Sequence, residues 1–160
     1  MVVNSRFITT VFPVFNTDEV KEALKQIRIE MPDASHHVYA FRVGYGNSVI
    51  EGMSDDGEPS GTSGPPTLAV LRGSDLGDIL LVTTRYFGGT KLGTGGLVRA
   101  YTEAAQTALA SLPTEVKAEK RTVGLTVPYS LFEQTRRLIE HHGGMIESEE
   151  FGADVTIISV

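Results

Sequence analysis

The chain is organised around Asp78–Tyr101, which has the sequence DILLVTTRYFGGTKLGTGGLVRAY. It opens with the apolar run Ile79–Val82, which is typical of a strand buried on both faces. Five glycines then fall within nine positions, and a helical apolar pattern begins at Leu97. A strand, a glycine loop and a helix N-terminus in this order form a concave arrangement that binds anions. We therefore expect the functional surface here.

The charge distribution also favours an anionic partner at this stretch. The 160-residue chain has a formal net charge of -6, yet Ile79–Thr102 contains no carboxylate and carries the cations Arg85, Lys91 and Arg99. An acidic chain is not expected to coat nucleic acid non-specifically. An anionic partner should therefore meet the protein at this local positive patch.

The amino-acid composition excludes several classes of protein and of site. Apolar residues make up 41% of the chain, which is enough for a core, and no apolar run is long enough to span a membrane. The N-terminus lacks a signal-peptide pattern. The absence of cysteine excludes disulfides, thiolate nucleophiles and cysteine-based metal sites. We expect a soluble cytoplasmic protein.

Residue spacing predicts alternating strands and helices. Strands are predicted at Arg6–Phe15, His37–Val43, Asn47–Met53, the run from Ile79, Val123–Val127, Met145–Glu150 and Ala153–Val160. Helices are predicted from an N-cap at Thr17 to Pro32, over Thr67–Leu71, from Leu97 to Pro113, and between Val127 and Gly143. We expect domains at 1–112 and 123–160, joined by a polar linker at 113–122. The second has the order β-α-β-β, and its single helix would leave one sheet face poorly covered.

Known catalytic and nucleotide motifs each fail at a particular residue. Thr94 stands where a P-loop needs lysine, Val98 stands where a dinucleotide fingerprint needs a small residue, and Gly61–Gly64 lacks one spacer of a nucleophile elbow. The adjacent His36 and His37 would point to opposite faces of a strand, so no shared metal is expected. No Ser–His–acid set or carboxylate pair can be assembled.

Two motifs leave alternatives open. Arg85, Tyr86 and Phe87 could stack a base, or one aromatic could be core while Arg85 binds loop carbonyls. Asp55, Asp56 and Glu58 could hold a divalent cation, but their DDGE order lacks the alternation of a calcium loop. A turn whose aspartates bond local amides is the reading that we favour.

These residues carry a resemblance to a known family. Residues 54–66 (SDDGEPSGTSGPP) and 85–101 (RYFGGTKLGTGGLVRAY), with SRFIT at 5–9 and HHVYAF at 36–41, resemble the IMPACT family, in particular its bacterial YigZ-type members. The resemblance covers residues 4–112, and the tail from Val123 looks like the family's small ferredoxin-like domain. Bacterial relatives begin several residues earlier and continue through another helix and strand beyond Val160, so an incomplete second domain is expected.

The resemblance implies both fold and function. It implies an α+β chain whose two-layer first domain shares the fold of a ribosomal small-subunit protein domain and of domain four of elongation factor G. Eukaryotic relatives regulate translation by competing for the activator of a stress-responsive kinase, and bacterial members have been proposed to bind nucleic acid. The resemblance implies no particular reaction.

We therefore expect a non-enzymatic, translation-associated protein that binds RNA, the ribosome or a translation-related protein, with no cofactor and no metal. The alternatives are an enzyme that binds a nucleotide or phosphometabolite and a pure protein–protein interaction module. The residues expected to bind nucleic acid or an anion are Arg85, Tyr86, Phe87, Gly88, Gly89, Lys91, Gly93, Gly95, Gly96 and Arg99. The residues expected to order the neighbouring loop are Asp55, Asp56, Gly57, Glu58, Gly61 and Thr62.

Overall fold

Two units make up the structure, a computed structural model that describes residues 4–46, 48–117 and 120–160. The first, Met1–Pro113, contains β1 (Arg6–Pro13), α1 (Thr17–Glu30), β2 (His36–Val43), β3 (Ile50–Ser54), α2 (Gly64–Gly73), β4 (Ile79–Tyr86) and α3 (Gly93–Ala110). The second, Thr114–Val160, contains β5 (Val123–Val127), α4 (Tyr129–His141), β6 (Ile146–Phe151) and β7 (Val155–Ser159). The α+β class is confirmed.

Strand β4 lies inside an antiparallel sheet of order β1-β4-β2-β3. It pairs with β1 on one side and with β2 on the other, and all its residues from Ile79 to Arg85 are buried. The predicted strand with two buried faces is therefore present. Because β4 is antiparallel to both neighbours, parallel pairing does not explain its apolar run. The run is explained by helices that cover both faces of the sheet.

Alternate residues of β4 pack against different helices. Leu80 and Val82 join the core formed with α1, whereas Ile79 and Leu81 join the core formed with α2 and α3. Because successive strand residues point to opposite faces, α1 covers one face and α2 with α3 the other. The predicted two-layer arrangement is thus corrected to three layers. Each helix has one apolar side in the sequence, but that pattern does not say which sheet face the helix covers.

Several element ends differ from the predictions. Asn16, and not Thr17, caps α1, since its side chain accepts hydrogen bonds from the amides of Asp18 and Glu19. Helix α2 extends over Gly64–Gly73 with prolines in its first turn, as their missing N–H allows. Strand β3 begins at Ile50; Asn47, where it was predicted to begin, lies outside the described residues.

Helix α3 begins at Gly93, four residues before the predicted start at Leu97. Glycine has no side chain, so the first turn contributes nothing to an apolar pattern. Within the described ranges, no helix has the length and apolarity needed to cross a lipid bilayer.

The second unit has the predicted β-α-β-β order, with strands in the order β5-β7-β6. Val155 and Ile157 of β7 are buried, and their register partners in β5 include Leu125. Leu125 and Val123 remain exposed on this same face, because α4 is the only helix described in this unit. In the predicted linker, the described residues form no helix or strand; residues 118 and 119 lie outside the described part.

Candidate functional site

Arg85, at the end of β4, points to the α2/α3 face and is only 4% exposed. Its Nη1 donates to both carboxylate oxygens of Glu58, at 2.7 and 2.9 Å, and its Nη2 donates to the Ser5 hydroxyl at 3.2 Å. The guanidinium carbon also lies 5.4 Å from the ring centroid of Phe7 and 5.5 Å from that of Phe87. Its charge is therefore neutralised and covered, and Arg85 is not the exposed phosphate contact that the sequence predicted.

The Glu58 carboxylate has a second donor in α3. The buried Tyr101 hydroxyl donates to its Oε1 at 2.7 Å. Burial, and then the Glu58 carboxylate, raise the pKa of Tyr101, so the phenol keeps its proton. Glu58, Arg85 and Tyr101 thus tie the loop after β3 to the sheet and to α3.

His36 stands beside this ion pair. Its Nδ1 lies 2.8 Å from the Asp56 carbonyl oxygen, which can only accept, so Nδ1 is the donor. Its Nε2 lies 3.8 Å from the Glu58 carboxylate. His37, the next residue, bonds Thr84 on the opposite sheet face. The prediction that the two imidazoles point apart is confirmed.

Asp55 holds the loop that follows β3. Its carboxylate accepts the amides of Gly61, Ser63 and Gly64 and the Ser63 hydroxyl, at 2.7–3.0 Å. Burial alone would raise the pKa of Asp55, but these hydrogen bonds outweigh it and the pKa lies below its usual value. Asp55 thereby supplies the cap that Ser63, whose own side chain makes no capping bond, does not give to α2.

Asp56 and Gly57 carry the chain from Asp55 to Glu58. Asp56 accepts the Arg28 guanidinium of α1 and the His37 amide, each at 2.6 Å. The three carboxylates of the DDGE turn therefore face different partners. Among the described residues, no group of three His, Cys, Asp or Glu side chains is placed to hold a metal ion.

The glycine loop passes close to the start of the chain. A Cβ on Gly88 would lie 2.1 Å from the Asn4 carbonyl carbon, so only glycine fits there. The Gly88 amide donates to the Ser5 hydroxyl, and the Phe87 amide donates to the Ser35 hydroxyl. The segment at 5–9 (SRFIT) therefore contacts the glycine loop through Ser5.

The first turn of α3 presents backbone. Leu92, at its N-cap, makes no side-chain capping bond, and the first four amides of any helix lack intrahelical acceptors. A Cβ on Gly95 would meet nothing within 4 Å, and its φ is not positive, so the fold does not require glycine at that position. The local helix dipole adds partial positive charge to this exposed turn.

A cleft of about 350 Å³ lies between the loop after β3, the end of β4 and the first turn of α3. We call it the Arg85 cleft. Its walls are His36, Gly57, Glu58, Pro59, Arg85, Phe87, Lys91, Leu92, Gly93, Thr94 and Leu97. Lys91 is exposed and has no ion pair among the described residues. The cleft therefore combines an exposed cation, a helix N-terminus and a neutralised carboxylate.

The structure brings some of the predicted residues together in the cleft and leaves others outside. Those in its walls are Arg85, Phe87, Lys91, Gly93, Gly57 and Glu58. Those outside its walls are Tyr86, Gly88, Gly89, Gly95, Gly96, Arg99, Asp55, Asp56, Gly61 and Thr62. Arg99 is exposed on α3, and Tyr86 points to the α1 face, away from Arg85.

Sequence reasoning missed Ser5, His36 and Tyr101 as members of the site. Residue spacing places Tyr101 within a predicted helix and His36 beside a predicted strand, and it does not indicate that the two share a site. No residue pattern points to these three side chains, because their contacts with Arg85 and Glu58 depend on tertiary packing.

Each of the two units matches a known protein domain family. Residues 3–109 match the Impact N-terminal domain, and residues 125–158 match a domain of unknown function, DUF1949. An IMPACT family member of Haemophilus influenzae is 39% identical over 155 residues, which is 96% of this chain and 75% of that protein. The IMPACT family member YigZ of Escherichia coli is 38% identical over 154 residues, covering 96% and 76%.

A solved structure shows the same likeness. A crystal structure described as that of a hypothetical protein has a TM-score of 0.72 and 38% identity, over 99% of this chain and 78% of its own. The family domain matches most of the chain, and the two bacterial relatives align along nearly its whole length. This chain therefore belongs to the IMPACT family.

Proposed function

We propose that this protein is a non-enzymatic, translation-associated binding protein that contacts RNA, alone or within the ribosome, through the Arg85 cleft and the exposed start of α3. The observation that carries the proposal is Lys91, an exposed cation beside the amides of a glycine-rich helix N-terminus. Phosphate groups are the ligands that such a combination favours. The link to translation rests on membership of the IMPACT family, because the family resemblance implies that its eukaryotic members regulate translation.

The pairing of Glu58 with Arg85 makes the cleft compatible with an anionic ligand. Glu58 is the carboxylate in the cleft walls, and its side chain is 3% exposed and bound by Arg85 and Tyr101. Its negative charge is therefore compensated before any ligand arrives. Lys91 and the helix dipole set the sign of the local potential, and Arg99 adds a second exposed cation on α3.

One observation favours the enzyme alternative. A volume of about 350 Å³ falls within the range of small-molecule sites. Against it, the DDGE carboxylates do not converge, which removes the magnesium site that a phosphoryl-transfer reaction would use. A thermal-shift screen with nucleotides and Mg²⁺ tests this alternative, because a tight ligand raises the unfolding temperature by mass action.

The main experiment is a pull-down of the tagged full chain from bacterial lysate, with and without ribonuclease. We expect RNA in the bound fraction, and we expect Lys91→Ala to reduce it while Lys25→Ala does not. Lys25 is also an exposed lysine, and it lies on α1, which covers the other face of the sheet. Recovery of a protein partner that survives ribonuclease, with no bound RNA, would instead favour the protein–protein alternative.

A further inference from the structure

The rim of the Arg85 cleft carries an exposed aromatic ring. Phe87 is 49% exposed, directly follows β4, and has one side of its ring against the Arg85 guanidinium. A single exposed apolar side chain is common at protein surfaces, so this ring is informative because it lies in one cleft with Lys91 and the start of α3. Proteins that bind single-stranded nucleic acid stack unpaired bases on such rings, and stacking tolerates any base.

The Arg85 guanidinium forms an inner wall of the cleft and is already bound by groups of this chain. Arg85 is buried, and among the described residues its Nε–H has no acceptor although Nη1 and Nη2 both have one. This nitrogen has almost no accessible surface, so a group that enters the cleft does not reach it. Lys91 and the first amides of α3 are therefore the groups of the cleft that favour an anionic ligand.

Size and shape restrict what can enter. About 350 Å³ is near the lower end of the volumes that enclose small molecules. A double helix keeps its bases paired and stacked and presents only its outer surface, so it cannot place a base inside a cleft of this size. A single strand can turn one nucleotide inward, with its phosphate and its base at different walls.

We propose that the Arg85 cleft receives one unpaired nucleotide of an RNA strand. The phosphate lies at Lys91 and the amides that begin α3, and the base stacks on the exposed side of Phe87. This inference rests on the proposed function and adds that the ligand is single-stranded. The α3 glycines then serve to let the strand approach the backbone closely.

The test compares three labelled probes with the full chain at low salt: a short single-stranded RNA, the same strand annealed into a duplex, and AMP. We expect the single strand to bind at least tenfold more tightly than the duplex. Phe87→Leu keeps an apolar side chain over Arg85 but removes the stacking ring, and should weaken single-strand binding by about tenfold. Phe87→Tyr keeps the ring and should bind like the natural chain.

The outcomes separate the inference from the proposed function. Equal binding of duplex and single strand, or unchanged affinity in Phe87→Leu with its melting temperature preserved, overturns the inference and leaves RNA binding standing. Tight binding of AMP with no binding of either RNA overturns both and favours the small-molecule alternative. No binding of any probe at low salt also overturns both.

Discussion

At the scale of single residues, the buried Arg85–Glu58 pair is the feature that the sequence did not reveal. The two residues are far apart in the chain, and nothing in residue spacing couples the end of a strand to a turn after another strand. The sequence did predict Arg85 and the DDGE turn as neighbours of one surface. It could not predict that one neutralises the other, because pairing across the core depends on tertiary packing.

The pair makes a strong prediction for stability. Arg85→Ala should lower the free energy of unfolding by about 3–5 kcal/mol, because it leaves the Glu58 carboxylate buried without its cation. Urea denaturation followed by circular dichroism measures this. A loss below about 1 kcal/mol would mean that Glu58 is not held as the structure shows.

Two further variants serve as controls. Lys21→Ala removes an exposed ion pair with Asp18 on α1 and should change stability by less than about 1 kcal/mol. The double variant Arg85→Met with Glu58→Leu removes both buried charges and should be more stable than Arg85→Ala alone.

The lowered pKa of His37 predicts how the free energy of unfolding depends on pH. Burial, and then the nearby Arg28 guanidinium, lower the pKa of His37 below its ordinary value of 6.5, although Asp56 opposes this. The unfolded chain therefore binds a proton more readily than the folded one, so stability falls as the pH drops below 6.5. The loss is about 1.4 kcal/mol for each unit between the two pKa values.

Urea midpoints measured between pH 8 and pH 5, values that bracket the ordinary histidine range, check this prediction. His37→Gln should remove the slope within that window while keeping a side chain that can bond Thr84. If the natural chain has a flat profile there, or if the variant keeps the full slope, the depressed pKa of His37 is refuted.

At the scale of elements, β4 was predictable and the beginning of α3 was not. Four apolar residues in a row are enough to indicate a strand with two buried faces, and Ile79–Tyr86 is that strand. The first turn of α3 contains three glycines, which carry no apolar signal and have low helix propensity. The element that forms the candidate site is therefore the one whose start the sequence pattern hides.

Gly95→Ala tests why that turn contains glycine. Alanine fits the space and the backbone at position 95, so the variant should be more stable by about 0.5–1 kcal/mol. If RNA approaches the bare backbone, the same variant should bind single-stranded RNA about tenfold more weakly, equivalent to about 1.4 kcal/mol.

Gly73→Ala is the matched control, since Gly73 is also an exposed helical glycine with open space around its added Cβ. It should show little change in RNA affinity. If both variants bind RNA like the natural chain, the glycines of α3 have no role in recognition.

At the scale of the whole molecule, the α+β class and the β-α-β-β order of the second unit were predictable from residue spacing and the family resemblance. The layer arrangement was not. Whether α1 covers the same sheet face as α2 and α3 depends on strand order and crossover direction, and residue spacing contains neither. All walls of the Arg85 cleft belong to the first unit, so the site does not use residues of the second.

A chain that ends at Pro113 should therefore fold and bind RNA as the full chain does, within about threefold, which is below 1 kcal/mol. The reason is that the core clusters around α1, α2 and α3 are formed within that unit. Anisotropy with the same labelled strand measures this. Loss of binding by a shortened chain that still unfolds cooperatively would place part of the interface in the second unit.

In the proposed complex, RNA phosphates contact Lys91 and Arg99 near the start of α3. The most direct test is the salt dependence of single-stranded RNA binding by the full chain. Replacing both cations with alanine should reduce the slope of log K against log salt by roughly 1.4, at about 0.7 per phosphate contact. Replacing the exposed Lys25 and Arg137 removes the same charge elsewhere and should leave the slope unchanged. Equal slopes for the two double variants would contradict the claim.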